Sequence, residues 1–158
     1  MNSQPGWWER LVRLSSARKG PRAASARVVS EVMFHELMAE ELIRSEQLEH
    51  SCRILIVYIT ESSGTIVAMK KEASRKVMGI LSNNLRKTDF VGWYREARII
   101  GVLLTVVRRG SSVDQWHLLE TRLHDILRTE LAHVPGSLHI TVCGYEEANE
   151  FVRCENIR

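Results

Sequence analysis

From Ile99 to Val107 the chain carries no charge, and Gly101 and Thr105 are its only side chains there that are not aliphatic. A run of this kind reads as a buried strand. Residues 90–95 read as another strand, and Arg95-Glu96-Ala97-Arg98 is the polar break between the two. Residues 90–95 and 98–107 are therefore expected to form a strand pair. A buried strand pair needs helices packed on its sheet, and the rest of the chain supplies them.

Arg53 to Thr60 is a second near-continuous apolar run and predicts a central strand. Glu61-Ser62-Ser63-Gly64 follows as a loop. Val77, Ile80, Leu81 and Leu85 recur at helical spacing, predicting a helix from about Glu72 to Arg86. Ser112 is a suitable N-cap for a third helical stretch, in which Trp116, Leu119, Leu123, Ile126 and Leu127 share a face. That helix ends before Pro135-Gly136, and Leu138 to Tyr145 alternates as a strand should. At the other end, Ser25 to about His50 predicts a long helix. Its apolar stripe is Val28, Val29, Val32, Met33, Leu37, Met38, Leu42 and Ile43. From Glu146 onward the tail reads as either a short helix or an edge element. The order is helix, strand, helix, strand pair, helix, strand. This implies an α+β fold with a ferredoxin-like core, a mixed but mainly antiparallel sheet flanked by helices.

At 158 residues, 44% hydrophobic and 26% charged, the chain is the size and composition of one soluble domain. Residues 25–158 are expected to form it. Residues 1–24 form a basic arm: Arg10, Arg13, Arg18, Lys19 and Arg22, with Arg27 just beyond, face only Glu9. The arm reads as a solubilising tail or as an element that meets an anionic surface. Trp7, Leu11 and Leu14 would share one face of a short helix there, packing on the domain, on a dimer mate or on a membrane interface. The three cysteines, Cys52, Cys143 and Cys154, show no Cys-x-x-Cys spacing, so reduced thiols are expected. No apolar stretch approaches the roughly 20 residues that span a bilayer. A secretory leader is not recognisable, and a cytoplasmic location is the expectation.

The segment Leu81-x3-Leu85-Arg86-x-x-Asp89, the hairpin after it and Ile140-Thr141-Val142-Cys143-Gly144 together resemble the GGDEF domain, the diguanylate cyclase module. The likeness covers roughly residues 25–145 and rests on element order and hydrophobic pattern. It implies a nucleotidyl-cyclase-like fold of bacterial origin, with cyclic di-GMP as the associated ligand. It also implies where catalysis would sit. Such cyclases hold divalent metals with carboxylates at the end of the first strand and in the signature hairpin, because two nucleoside triphosphates are joined under hard cations. Here Tyr58 stands at the first-strand position, and Arg95, Glu96, Ala97, Arg98 and Ile99 replace the signature. Its two glycines are gone. No catalytic residue, metal site or cofactor is expected, and the chain is expected not to be an enzyme.

The resemblance also implies an inhibitory site at Arg-x-x-Asp. Arg86 would fork onto guanine O6 and N7, and Asp89 would accept from its N1 and N2 donors. Arg53, Arg75 and Arg95 are candidates for a further arginine. The alternative is local: Arg86 favours a helix C-terminus and Asp89 orders the turn. Two functions follow. One is a degenerate, catalytically inactive receptor for cyclic di-GMP that regulates a protein effector. The other is a nucleotide-independent interaction and dimerisation scaffold of the same fold. A homodimer is expected, and nucleic acid is not. Glu120 and His124 lie one helical turn apart, and His117 two turns before His124; a metal site there needs a further ligand, none is evident, and histidines on a solvated face are expected. The basic cluster Lys70, Lys71, Arg75 and Lys76 reads as a solvated face.

Overall fold

The structure, a computed structural model, describes residues 27–48, 52–105 and 113–155. The basic arm, with Trp7 and Trp8, lies outside the described residues, as do Val106, Val107 and Ser112.

Among the described residues five strands form one sheet: β1 (Arg27–Val29), β2 (Arg53–Thr60), β3 (Phe90–Arg95), β4 (Ile99–Leu104) and β5 (Ser137–Cys143). Four helices join them: α1 (Glu31–Leu48), α2 (Lys71–Asn84), α3 (Val113–Glu130) and α4 (Tyr145–Glu155). The spatial order is β1-β3-β4-β2-β5. β3–β4, β4–β2 and β2–β5 pair antiparallel, and β1 runs parallel to β3. The run from β2 to β5 therefore has the strand order of a ferredoxin-like core, to which β1 adds an edge.

Alternation along the strands divides two cores. On one face Leu55, Val57, Ile100, Val102 and Leu104 meet Val77 and Leu81 of α2 and Leu123 and Leu127 of α3. On the other, Ile54, Ile56, Ile99, Leu103 and Cys143 meet Phe34, Leu37 and Met38 of α1 and Ala148 of α4. Every residue of β4 is buried, as its composition demands.

The N-terminal helix departs from expectation. It begins at Glu31, not Ser25, and Arg27–Val29 is a strand. Ser30 starts the helix: its hydroxyl accepts from Met33 N–H at 3.3 Å, and its carbonyl accepts from Phe34 N–H at 2.8 Å. β-branched Val28 and Val29 suit a strand as well as a helix stripe, so composition could not separate them. The buried stripe is rotated accordingly. Val32 and Ile43 are exposed, and Phe34 is the anchor. The tail resolves as a helix. Gly144 N–H donates to the Glu147 carboxylate at 3.0 Å, the N3-to-N-cap half of a capping box.

The β3–β4 hairpin closes through Arg98 N–H to Arg95 C=O at 3.1 Å, with Ala97 at φ 60°. That left-handed conformation costs a non-glycine residue about 1–2 kcal/mol. Ala97→Gly is expected to raise stability by about 0.5–1 kcal/mol after the extra unfolded-state freedom of glycine. The urea midpoint reads this, with its slope unchanged.

Candidate functional site

The sequence-predicted residues fall at two opposite ends of the sheet. Arg86 and Asp89 lie where α2 runs into β3. Tyr58, Glu61 and the hairpin residues lie where β2 ends.

At the first end Asp89 is a hub. It is 1% exposed. Its Oδ2 accepts the Arg86 backbone N–H at 3.0 Å, and its Oδ1 accepts the Thr105 N–H at 3.2 Å. Its own N–H donates to Arg86 C=O, closing a tight turn, and its C=O accepts from Arg27 N–H of β1 at 3.4 Å. The Arg86 side chain stands over this: Nε lies 3.5 Å from Oδ2, and Nη2 donates to Thr105 C=O at 3.2 Å. Thr105 Oγ1 in turn donates to Thr88 C=O at 2.6 Å. One residue, through its carboxylate and its main chain, thus ties the end of α2 to β1, β3 and β4. Burial pushes the Asp89 carboxyl above its ordinary pKa, against the Arg86 and Thr105 groups, which pull it down. A guanine edge could reach this carboxylate only by displacing two backbone amides.

The candidate third arginines are dispersed. Arg53 stands across from Leu104, the residue before Thr105, so it shares this end of the sheet. Its Nε is buried without a hydrogen-bond partner. Arg75 is exposed on α2, and Arg95 lies in the hairpin at the far end.

At that far end, Tyr58 is enclosed by aromatic neighbours. Its ring stacks on His139 of β5 at 4.9 Å and 14°, and Phe151 of α4 tilts against it at 4.9 Å. His139 Nε2 and Thr60 Oγ1 are hydrogen-bonded at 2.8 Å. Sequence reasoning missed His139 and Phe151. Only the β2–β5 register, which pairs Tyr58 with His139, brings them together.

The hairpin is clamped from both sides. Glu96 N–H donates to the Glu31 carboxylate of α1, and His35 Nε2 donates to Tyr94 C=O at 2.7 Å. Met69 N–H donates to Ala97 C=O, and Arg98 Nη1 donates to Ile66 C=O. The Tyr94 hydroxyl, pushed up to about 12 by burial, donates to Asn149 Oδ1. Each backbone or side-chain group in these contacts is spent on framework.

Among the described residues no three His, Cys, Asp or Glu side chains converge as metal ligands. Glu120 turns to the sheet and accepts the Val142 N–H, with His117 Nδ1 at 3.8 Å from it. Lys70, Lys71, Arg75 and Lys76 are exposed, and Lys76 bridges to Glu130 of α3 at 3.1 Å. Burial raises the thiols of Cys52 and Cys143 to about 11, which leaves them poor nucleophiles. No described helix is long and apolar enough to cross a membrane.

Two cavities flank the segment before β5. They share Ile59, Val134, Gly136 and Ser137. One, of about 640 Å³, opens toward Glu61 and Lys70; the other, of about 530 Å³, toward His124 and Arg128. Gly136 makes the close approach possible, with φ 109° and a position at which a Cβ would lie 2.7 Å from Thr60 C=O.

No protein-family model matches the chain, and no curated protein matches its sequence.

Proposed function

We propose that this chain is a GGDEF-like domain without cyclase chemistry that works by binding other proteins, its fold serving as the scaffold. The supporting observation is the fate of the polar positions a cyclase would leave open to nucleotide and metal. A phenol shut between an imidazole and a phenyl ring stands at the first-strand position. The hairpin backbone is held by α1 and by the loop before α2. Function follows from the site rather than from the fold, and among the described residues no three His, Cys, Asp or Glu side chains converge there to grip magnesium.

Cyclic di-GMP reception through Arg86 and Asp89 is the second reading. It is favoured by the Arg86 side chain, which is 56% exposed. Its difficulty is the buried carboxylate beside it. Calorimetric titration of cyclic di-GMP into the full chain separates the two readings. No heat is expected. A saturable heat that disappears in Arg86→Ala would install the receptor in place of the scaffold. Incubation with GTP and magnesium is likewise expected to yield no product on chromatography.

A further inference from the structure

We propose that the outer edge of β5 receives an extended, acidic peptide strand, which rests on the reading that the domain binds protein. Three observations carry this. The first is the ladder. Among the described residues β5 ends the sheet and pairs only with β2. In an antiparallel pair, alternate residues turn their N–H and C=O to the same side. Val142 N–H is taken by Glu120, a side chain of α3, so Val142 belongs to the outward set. Ile140 and Leu138, two and four positions before it, belong to that set as well.

The second observation is how this edge is left. From Ser137 to Gly144 there is no charged residue and no proline. β5 is seven residues long, against three for β1 at the opposite edge. Natural edges are ordinarily blunted by lysine, proline, a bulge or shortness. The side-chain devices and a bulge are absent from β5, and among the described residues only its Val142 N–H is taken, by Glu120.

The third is charge. Glu120, His124 and Arg128 form one i, i+4 row on α3. The row is anchored at Val142 by Glu120, and His124 and Arg128 line the 530 Å³ cavity together with Leu138. It therefore runs beside the open half of the edge. No Asp or Glu lines that cavity. Among the described residues neither His124 nor Arg128 makes an ion pair. A strand added at Leu138 and Ile140 would gain main-chain hydrogen bonds and place alternate side chains toward this row, the usual division of labour in strand addition. A carboxylate is the group that suits Arg128. A second copy of β5 brings no carboxylate, so an acidic partner fits better than self-pairing.

The probe is a short, capped, fluorescein-labelled peptide alternating threonine and glutamate, with a twin in which lysine replaces glutamate. Anisotropy with the full chain is expected to show the glutamate peptide binding at least about fivefold more tightly, the scale of one or two half-exposed ion pairs. Arg128→Glu is expected to erase or invert that preference. Ile140→Pro removes an outward N–H while sparing the β2 ladder and is expected to abolish binding of both peptides. Should Ile140→Pro fail to fold by circular dichroism, Arg128→Glu decides alone. Equal binding of the two peptides overturns the proposal, as does binding of neither at millimolar concentration. So does a wild-type dimer that Ile140→Pro makes monomeric, which would give the edge to a second copy. The cyclic di-GMP titration is independent, so either reading can fail without the other.

Discussion

Phe34→Ala is expected to lower stability by about 4 kcal/mol, a large part of what a domain of this size has. The reason lies on the sheet below it. Gly92 of β3 and Gly101 of β4 are direct cross-strand partners. They leave a smooth pit in the face that α1 covers, and the Phe34 ring fills it with no exposure of its own. A Cβ at Gly101 would lie 2.5 Å from Phe34 Cζ and 2.8 Å from its Cε1. A Cβ at Gly92 would lie 2.6 Å from Val29 C=O, which is backbone and yields less readily. The ring also meets Tyr94 edge-on at 6.1 Å and His35 at 6.2 Å. Removing it leaves a cavity that two glycines cannot collapse into. Gly101→Ala is expected to cost about 1–3 kcal/mol by overpacking. The decisive measurement is the double-mutant cycle. Gly101→Ala is expected to be markedly milder in a Phe34→Leu background, because the two positions share one volume. Additive losses would mean that the glycines serve something other than this ring.

The same pair shows what the sequence could and could not tell. Gly101 inside the run Ile99–Leu104 does not interrupt the strand, and the apolar run alone fixes its burial. The near-continuous run of β2 likewise placed it inside the sheet, with a neighbour on each side, and the spacing of Val77 and Leu81 placed the inner face of α2. Periodicity suffices for such elements because one face is plainly apolar. It fails for Val28-Val29-Ser30-Glu31-Val32-Met33-Phe34, where a strand and a helix meet across one capping serine. Apolar residues stand at both periods there, and the glycine pit that selects Phe34 is remote in sequence. The candidate site divides in the same way. That a phenol stands at the first-strand position, and that the hairpin carries Arg95, Glu96 and Arg98 without its two glycines, was readable from residue types. That His139 and Phe151 enclose Tyr58 depends on strand register, and the Leu138–Ile140 edge depends on strand order. Neither is a local property.

Asp89→Ala is expected to cost about 3 kcal/mol, and its pH dependence is the sharper test. The loss comes from two buried amides, those of Arg86 and Thr105, each left without its acceptor at about 1–3 kcal/mol. Relief from burying a carboxylate offsets part of it. The Arg86 side chain adds little, since its guanidinium is more than half in water. Asp89→Asn is expected to be intermediate, because an amide group can accept from one of the two N–H donors and opposes the other. The sign with pH follows from the direction of the shift. Burial raises the carboxyl's pKa in the folded chain above its unfolded value. Between those two values the folded state binds more protons than the unfolded one, so this group's contribution to stability falls as pH rises through the window. The margin of wild type over Asp89→Ala is therefore expected to narrow from the ordinary aspartate pKa upward in urea titrations, then to level off above the raised value. A carboxylate whose amide and guanidinium donors outweighed burial would behave in the opposite sense, gaining stability as it ionises. A widening margin would thus mean that the two amides and the Arg86 guanidinium together outweigh burial at Asp89, and Arg86→Ala, which removes the guanidinium alone, would show how much of that is the side chain's.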